Sequence, residues 1–98
     1  IFKTKLGFMA KIMIGAIFVG NIETVWQGDV NPTKKRRVII KEYDDNPVEL
    51  TQGNEFGRFN MGSTVILLFQ KDKLFWSSDI TKNNIVQAGQ VLGESKFN

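Results

Sequence analysis

Nine glycines cut this 98-residue chain into short runs rich in Val, Ile, Phe and Thr. Runs of that composition, bounded by turn residues, read as β-strands. The pattern predicts an all-β chain with strands at 9–18, 20–26, 37–43, 58–60, 63–69, 73–77 and 91–94. Asn31-Pro32-Thr33 and Asp44-Asp45-Asn46-Pro47 read as turns or loops. Gln70-Lys71-Asp72 reads as a hairpin turn between two apolar runs. Residues 64–69, Thr-Val-Ile-Leu-Leu-Phe, are apolar on both alternating faces, which predicts a strand buried on both sides at the centre of a sandwich or barrel.

A weak internal echo points the same way. Gln52-Gly53-Asn54-Glu55-Phe56-Gly57 and Ala88-Gly89-Gln90-Val91-Leu92-Gly93 share two glycines at the same spacing. Each stretch predicts a β-turn, then a short strand whose second glycine admits a close backbone approach. Such units recur in barrel-sandwich hybrid folds of the biotinyl/lipoyl type, and the chain is expected to be an incomplete, duplicated-hybrid-motif domain of that kind. Residues 1–98 are enough for one domain and not two, with a thin stability margin if it stands alone. A start at Ile1 suggests a piece of a longer chain, though a trimmed sequence looks the same.

The chain has no cysteine and no histidine. Disulfides, thiolate catalysis, a Ser-His-Asp triad and the usual Cys/His zinc site are therefore excluded within it, and no metal is expected. Hydrophobic residues at 42% and charged residues at 23% place it among soluble globular chains. Of the net charge of +3, much sits in Lys34-Lys35-Arg36-Arg37. A solvated loop is the bland reading of that run, and contact with an anionic membrane surface the sharper one. No exposed aromatics interleave with it for base stacking, so nucleic acid is not expected. The apolar segment 8–19 is interrupted by Lys11 and Gly15 and is too short to span a bilayer.

The informative stretch runs from Gly53-Asn54-Glu55-Phe56-Gly57-Arg58-Phe59 through Asn60-Met61 to Gly62-Ser63-Thr64 and the apolar run behind it. Alone, Gly62-Ser63-Thr64 at a strand start is most often a turn with local hydrogen bonds. In this context the stretch resembles the processing site of phosphatidylserine decarboxylases: a Gly-x-Glu-x-Gly-x-Phe element, then Gly-Ser-Thr leading into an apolar strand. Residues 19–26 (Val-Gly-Asn-Ile-Glu-Thr-Val-Trp) and 89–93 (Gly-Gln-Val-Leu-Gly) resemble the family's flanking blocks, in the right order. Met61 departs from the commoner leucine, a similar-sized apolar change.

The resemblance implies a carboxy-terminal proenzyme fragment in which residues 1–62 end the β-chain and residues 63–98 form the α-chain. Ser63 Oγ would attack the Gly62 carbonyl, and elimination and hydrolysis would leave a pyruvoyl group at position 63. Glycine on the acyl side keeps that carbonyl open to approach. The ketone would form a Schiff base with phosphatidylserine and accept the electrons released with carbon dioxide, giving phosphatidylethanolamine. Thr64 and Met61 would support the site.

The family draws on an upstream histidine and aspartate for self-cleavage, so the missing amino-terminal part of the proenzyme is an expected partner. The carboxylates of Glu55, Asp72 and Asp79 have no special claim as substitutes, and Glu55 is expected to hold the turn. This chain alone is expected to remain uncut, with Ser63 partly accessible, and to be inactive. A peripheral membrane location is implied, on the cytoplasmic face if bacterial, and a homodimer is left open. The rival reading is a non-catalytic barrel-sandwich binding or carrier module, for which Asp72-Lys73-Leu74 offers a lysine at a hairpin tip. The neighbours Lys71 and Phe75-Trp76 do not match the usual carrier tips.

Overall fold

The structure, a computed structural model, describes residues 1–15, 22–30, 38–60 and 64–95. Within them it is all β, in eight strands: β1 (Phe2–Thr4), β2 (Gly7–Ile14), β3 (Ile22–Thr24), β4 (Gly28–Asp29), β5 (Gly57–Phe59), β6 (Thr64–Phe69), β7 (Leu74–Trp76) and β8 (Gly93–Ser95). These form three small open sheets, ordered β1-β2-β6, β4-β3-β5 and β7-β8. The chain divides into two compact units, one of residues 1–12 with 65–98 and the other of residues 13–64.

In the first unit, β1 and β2 form a tight antiparallel hairpin with Phe2 opposite Met9 and Thr4 opposite Gly7. The Thr4 hydroxyl donates to the Gly7 carbonyl at 2.8 Å and accepts from the Leu6 amide at 3.1 Å, closing the turn. Gln70, just past β6, accepts the Phe8 amide through Oε1 at 3.0 Å. Phe69 at the end of β6 meets Trp76 of β7 edge to face, with ring centroids 6.0 Å apart. In the second unit β3 is the central strand, flanked by β4 and β5, with Glu23 opposite both Asp29 and Arg58.

The predicted echo is present in detail. Gly53 (φ +89°) and Gly89 (φ +84°) take the left-handed position of equivalent turns. In each, the residue after the glycine donates its amide to the carbonyl three back: Asn54 to Thr51 at 3.0 Å, Gln90 to Gln87 at 3.1 Å. The side chains of Asn54 and Gln90 return the bond, accepting the Thr51 amide at 2.9 Å and the Gln87 amide at 3.0 Å. Each turn then feeds a three-residue strand. Phe56 O accepts Val25 N at 3.0 Å, and Leu92 O accepts Ser77 N at 2.9 Å. A Cβ on Gly57 would run into the Glu23 carbonyl oxygen, and one on Gly93 would lie 2.7 Å from the Phe75 carbonyl oxygen.

Four expectations are corrected. Of the strand predicted at 63–69, Ser63 lies outside the described residues, and Thr64–Phe69 is not buried on both faces: Val65, Ile66 and Leu68 are 43%, 39% and 53% exposed, and only Leu67 and Phe69 are half-buried. Among the described residues its cover is partial, with Trp76 set against Phe69. Gln70-Lys71-Asp72 does turn the chain, with Asp72 at φ +61° and the Lys73 amide donating to the Gln70 carbonyl. It is not a hairpin, because β6 pairs with β2 while β7 pairs with β8. Residues 38–43 form no strand, since no described segment offers their backbone a ladder, and Val38 and Ile40 stand 90% and 82% exposed. The strand predicted at 91–94 is displaced to Gly93–Ser95, and β1 and β4 are additional.

Candidate functional site

The turn at residues 51–54 sets the approach to the predicted cleavage site. Asn54 Oδ1 accepts from both the Thr51 amide and its hydroxyl, at 2.9 and 2.6 Å, so this asparagine holds the turn. Glu55 instead reaches forward, where its carboxylate takes a 2.9 Å contact from Arg58 Nε. Glu23, directly across the ladder from Arg58, lies 3.9 Å from the same Nε. These side chains are 39–59% exposed, so their attraction is screened by water. Phe56 packs edge-on against Trp26 with centroids 4.9 Å apart, anchoring the start of β5. Beside it, Thr24 Oγ1 is shielded from solvent with no hydrogen-bond partner.

Phe59 ends β5 opposite Ile22, and the chain bends at Asn60. Met61, Gly62 and Ser63 lie outside the described residues, as does Lys34-Lys35-Arg36-Arg37. Thr64 opens β6 and is exposed. In the chain, Gly62 and Ser63 follow β5 and come directly before β6. Glu55 and Glu23 are the carboxylates that the ladder brings next to β5. Asp72 and Asp79 belong to turns in the other unit, where the Asp79 carbonyl accepts from Asn84 Nδ2 at 3.0 Å.

The Glu23–Arg58–Glu55 group was not foreseen from sequence. Glu55 and Arg58 at i and i+3 give a faint signal, whereas Glu23 arrives only through strand pairing. A separate open hollow of about 140 Å³, lined by Gln27, Val30, Ile39, Lys41 and Tyr43, is small for a ligand pocket.

A family model described as phosphatidylserine decarboxylase matches residues 1–94. The chain is 43% identical over 95 residues to a phosphatidylserine decarboxylase proenzyme of Nitrosococcus oceani, covering 96% of this chain and 31% of the relative. It is 45% identical to the proenzyme of Acinetobacter baylyi, covering 97% and 32%, and 40% identical to that of Ectopseudomonas mendocina, covering 99% and 35%. The chain thus spans about a third of the length of the curated relatives it matches. No solved structure matches it. With a family match running almost end to end and the Gly-x-Glu-x-Gly-x-Phe element standing in β5 and its turn, the chain belongs to the phosphatidylserine decarboxylase family.

Proposed function

We propose that this chain is the carboxy-terminal part of a phosphatidylserine decarboxylase proenzyme, that the backbone is cut between Gly62 and Ser63, and that Ser63 becomes the pyruvoyl group of a phospholipid carboxy-lyase. The observation that carries this is the place of the motif. The Gly-x-Glu-x-Gly-x-Phe element occupies the turn and strand β5, Thr64 is the first residue of β6, and Gly62 and Ser63 come between them in the chain, within the stretch matched by the family. Residues 1–62 would then end the β-chain and residues 63–98 form the α-chain.

The chain's own residues supply the cleavage chemistry up to the base. Ser63 Oγ adds to the Gly62 carbonyl carbon and the C–N bond yields, converting the amide to an ester and leaving the Ser63 nitrogen as an amine. Loss of the α-proton expels the Gly62 carboxylate and leaves dehydroalanine, which water converts to the ketone with release of ammonia. The Gly57 contact with β3 and the Asn54 turn hold the strand that delivers Gly62. A ketone at position 63 supplies the electron sink for decarboxylation of an amine-bearing substrate. The base that takes the serine proton belongs to the missing amino-terminal part, since this chain has no histidine and Glu55 is engaged with Arg58. The fragment alone is accordingly uncut and inactive.

Phosphatidylserine is the substrate in this reading, and an anionic membrane surface the second partner. Phe8 is 56% exposed and Ile14 41%, so apolar surface is available for a peripheral contact. The finer fold is a barrel-sandwich hybrid, supported by the matched turn-and-strand units at residues 51–57 and 87–93. In the full-length proenzyme, Ser63→Ala removes both nucleophile and leaving group. It is expected to leave one uncut, inactive polypeptide, and active, cleaved Ser63→Ala protein would overturn the assignment.

A further inference from the structure

We propose that β6 is completed into an interior strand by an extended segment of the same proenzyme, drawn from the two-thirds of its relatives' length that this chain does not span, and paired along β6's outer edge; this rests on the proenzyme reading above. Among the described residues β6 ends its sheet, with β2 on one side and no strand on the other. Outer strands of soluble proteins are normally short or guarded by charge, because an open row of amides and carbonyls invites another chain. The remaining outer strands here follow that rule. β1, β4, β5 and β8 are three residues or fewer, and each carries a charge: Lys3, Asp29, Arg58 and Glu94. β7 has no charge but is three residues long. β6 breaks the rule on every count. It is six residues long and has no charge, proline or glycine.

Its side chains are as open as its edge, with Val65, Ile66 and Leu68 all more than a third exposed. No side chain among the described residues is fully buried. A sequence patterned for burial, with an unguarded edge and apolar side chains this open, is one whose core is finished by another segment. The unspanned length of the relatives supplies the occupant.

Residue-resolved hydrogen–deuterium exchange on the full-length protein, in lipid-free buffer at low concentration, tests the pairing without any mutation. In an outer strand alternate amides point to solvent. In an interior strand all are bonded. The amides of residues 65–69 are expected to exchange within about tenfold of one another. Every second amide exchanging about a hundredfold faster than its neighbours would show that β6 keeps an open edge and overturn the proposal. Uniform protection that develops only at high concentration would assign the edge to a second copy. Uniform protection that develops only with phosphatidylserine vesicles would assign it to lipid. Either outcome overturns the proposal. Intact mass on the same sample separates the two readings. An uncut protein with a uniformly protected β6 removes the decarboxylase reading and keeps the strand pairing, and a cut protein with alternating exchange does the reverse. Leu68→Lys gives a second check: in the full-length protein it is expected to abolish co-purification of the two cleaved pieces, whereas an unguarded outer strand would accept the lysine.

Discussion

Replacing Gly57 by alanine adds one carbon at the strand that precedes the proposed cleavage site. Where alanine fits, it stabilises a chain by about 0.4–1 kcal/mol, because the unfolded state loses freedom. Here the new Cβ runs into the Glu23 carbonyl oxygen and lies 3.1 Å from Thr24 Cα and 3.2 Å from the Glu23 carbonyl carbon, all backbone atoms of β3. A side chain could turn aside, but a strand must move bodily. Overpacking of this kind costs about 1–3 kcal/mol. It also strains the ladder at Thr24 opposite Gly57 and the neighbouring 3.0 Å bond from Val25 N to Phe56 O. The steric term wins, for a net loss of about 2 kcal/mol. In the full-length protein that is roughly 4–8 °C in the thermal midpoint. β5 ends three residues before Gly62. If the cut falls at Gly62-Ser63 as proposed, a shift in β5 should slow cleavage by about 10–100-fold, the scale on which misplacement of reacting groups by about an ångström is felt. Gly93→Ala is the matched control: it meets the Phe75 carbonyl oxygen at 2.7 Å and should destabilise comparably, yet leave cleavage intact. Differential scanning calorimetry and a time course of cleavage after synthesis read the two effects. An unshifted midpoint with normal cleavage in Gly57→Ala, or equal slowing by both variants, would refute the reasoning.

Thr24→Val removes the shielded, unbonded hydroxyl and keeps its shape, so it should raise stability by about 1 kcal/mol; a loss in urea titration would mean the hydroxyl has a partner in the complete protein. Burial holds the Lys11 ammonium below the ordinary lysine value of 10.5. Between that lowered value and 10.5 the unfolded chain binds more protons, so stability rises with pH through this window and is reduced below it. Lys11→Met should therefore raise the thermal midpoint at neutral pH, with the gain shrinking as the pH approaches 10.5. A gain independent of pH would point to packing alone.

What could be read from residues alone divides along physical lines. The paired turns at Gly53 and Gly89 were legible because a left-handed backbone position all but demands glycine there. The close approaches at Gly57 and Gly93 were legible because any Cβ there would meet a carbonyl. Residues 64–69 were legible as a strand from their β-branched and apolar content, but burial is set by what lies over a strand, and that is not written in the strand. Residues 38–43 have the same β-branched character and form no strand among the described residues, since propensity needs a partner edge to act on. The turn at Gln70-Lys71-Asp72 was visible in its local chemistry. Its chain partners were not, as β6 and β7 enter different sheets. Glu23 reached Arg58 only through the register of β3 with β5. Gly62-Ser63-Thr64 was singled out by its resemblance to the family's processing site; Gly62 and Ser63 lie outside the described residues, and their role stands as the proposal above.

The decisive measurement is the intact mass of the full-length protein together with that of the 98-residue chain. The full-length protein should give two polypeptides that divide between Gly62 and Ser63, the second beginning with a pyruvoyl group in place of serine, while the chain alone keeps one continuous backbone. A full-length protein that remains whole with Ser63 unmodified, or that divides at any other bond, would contradict the assignment.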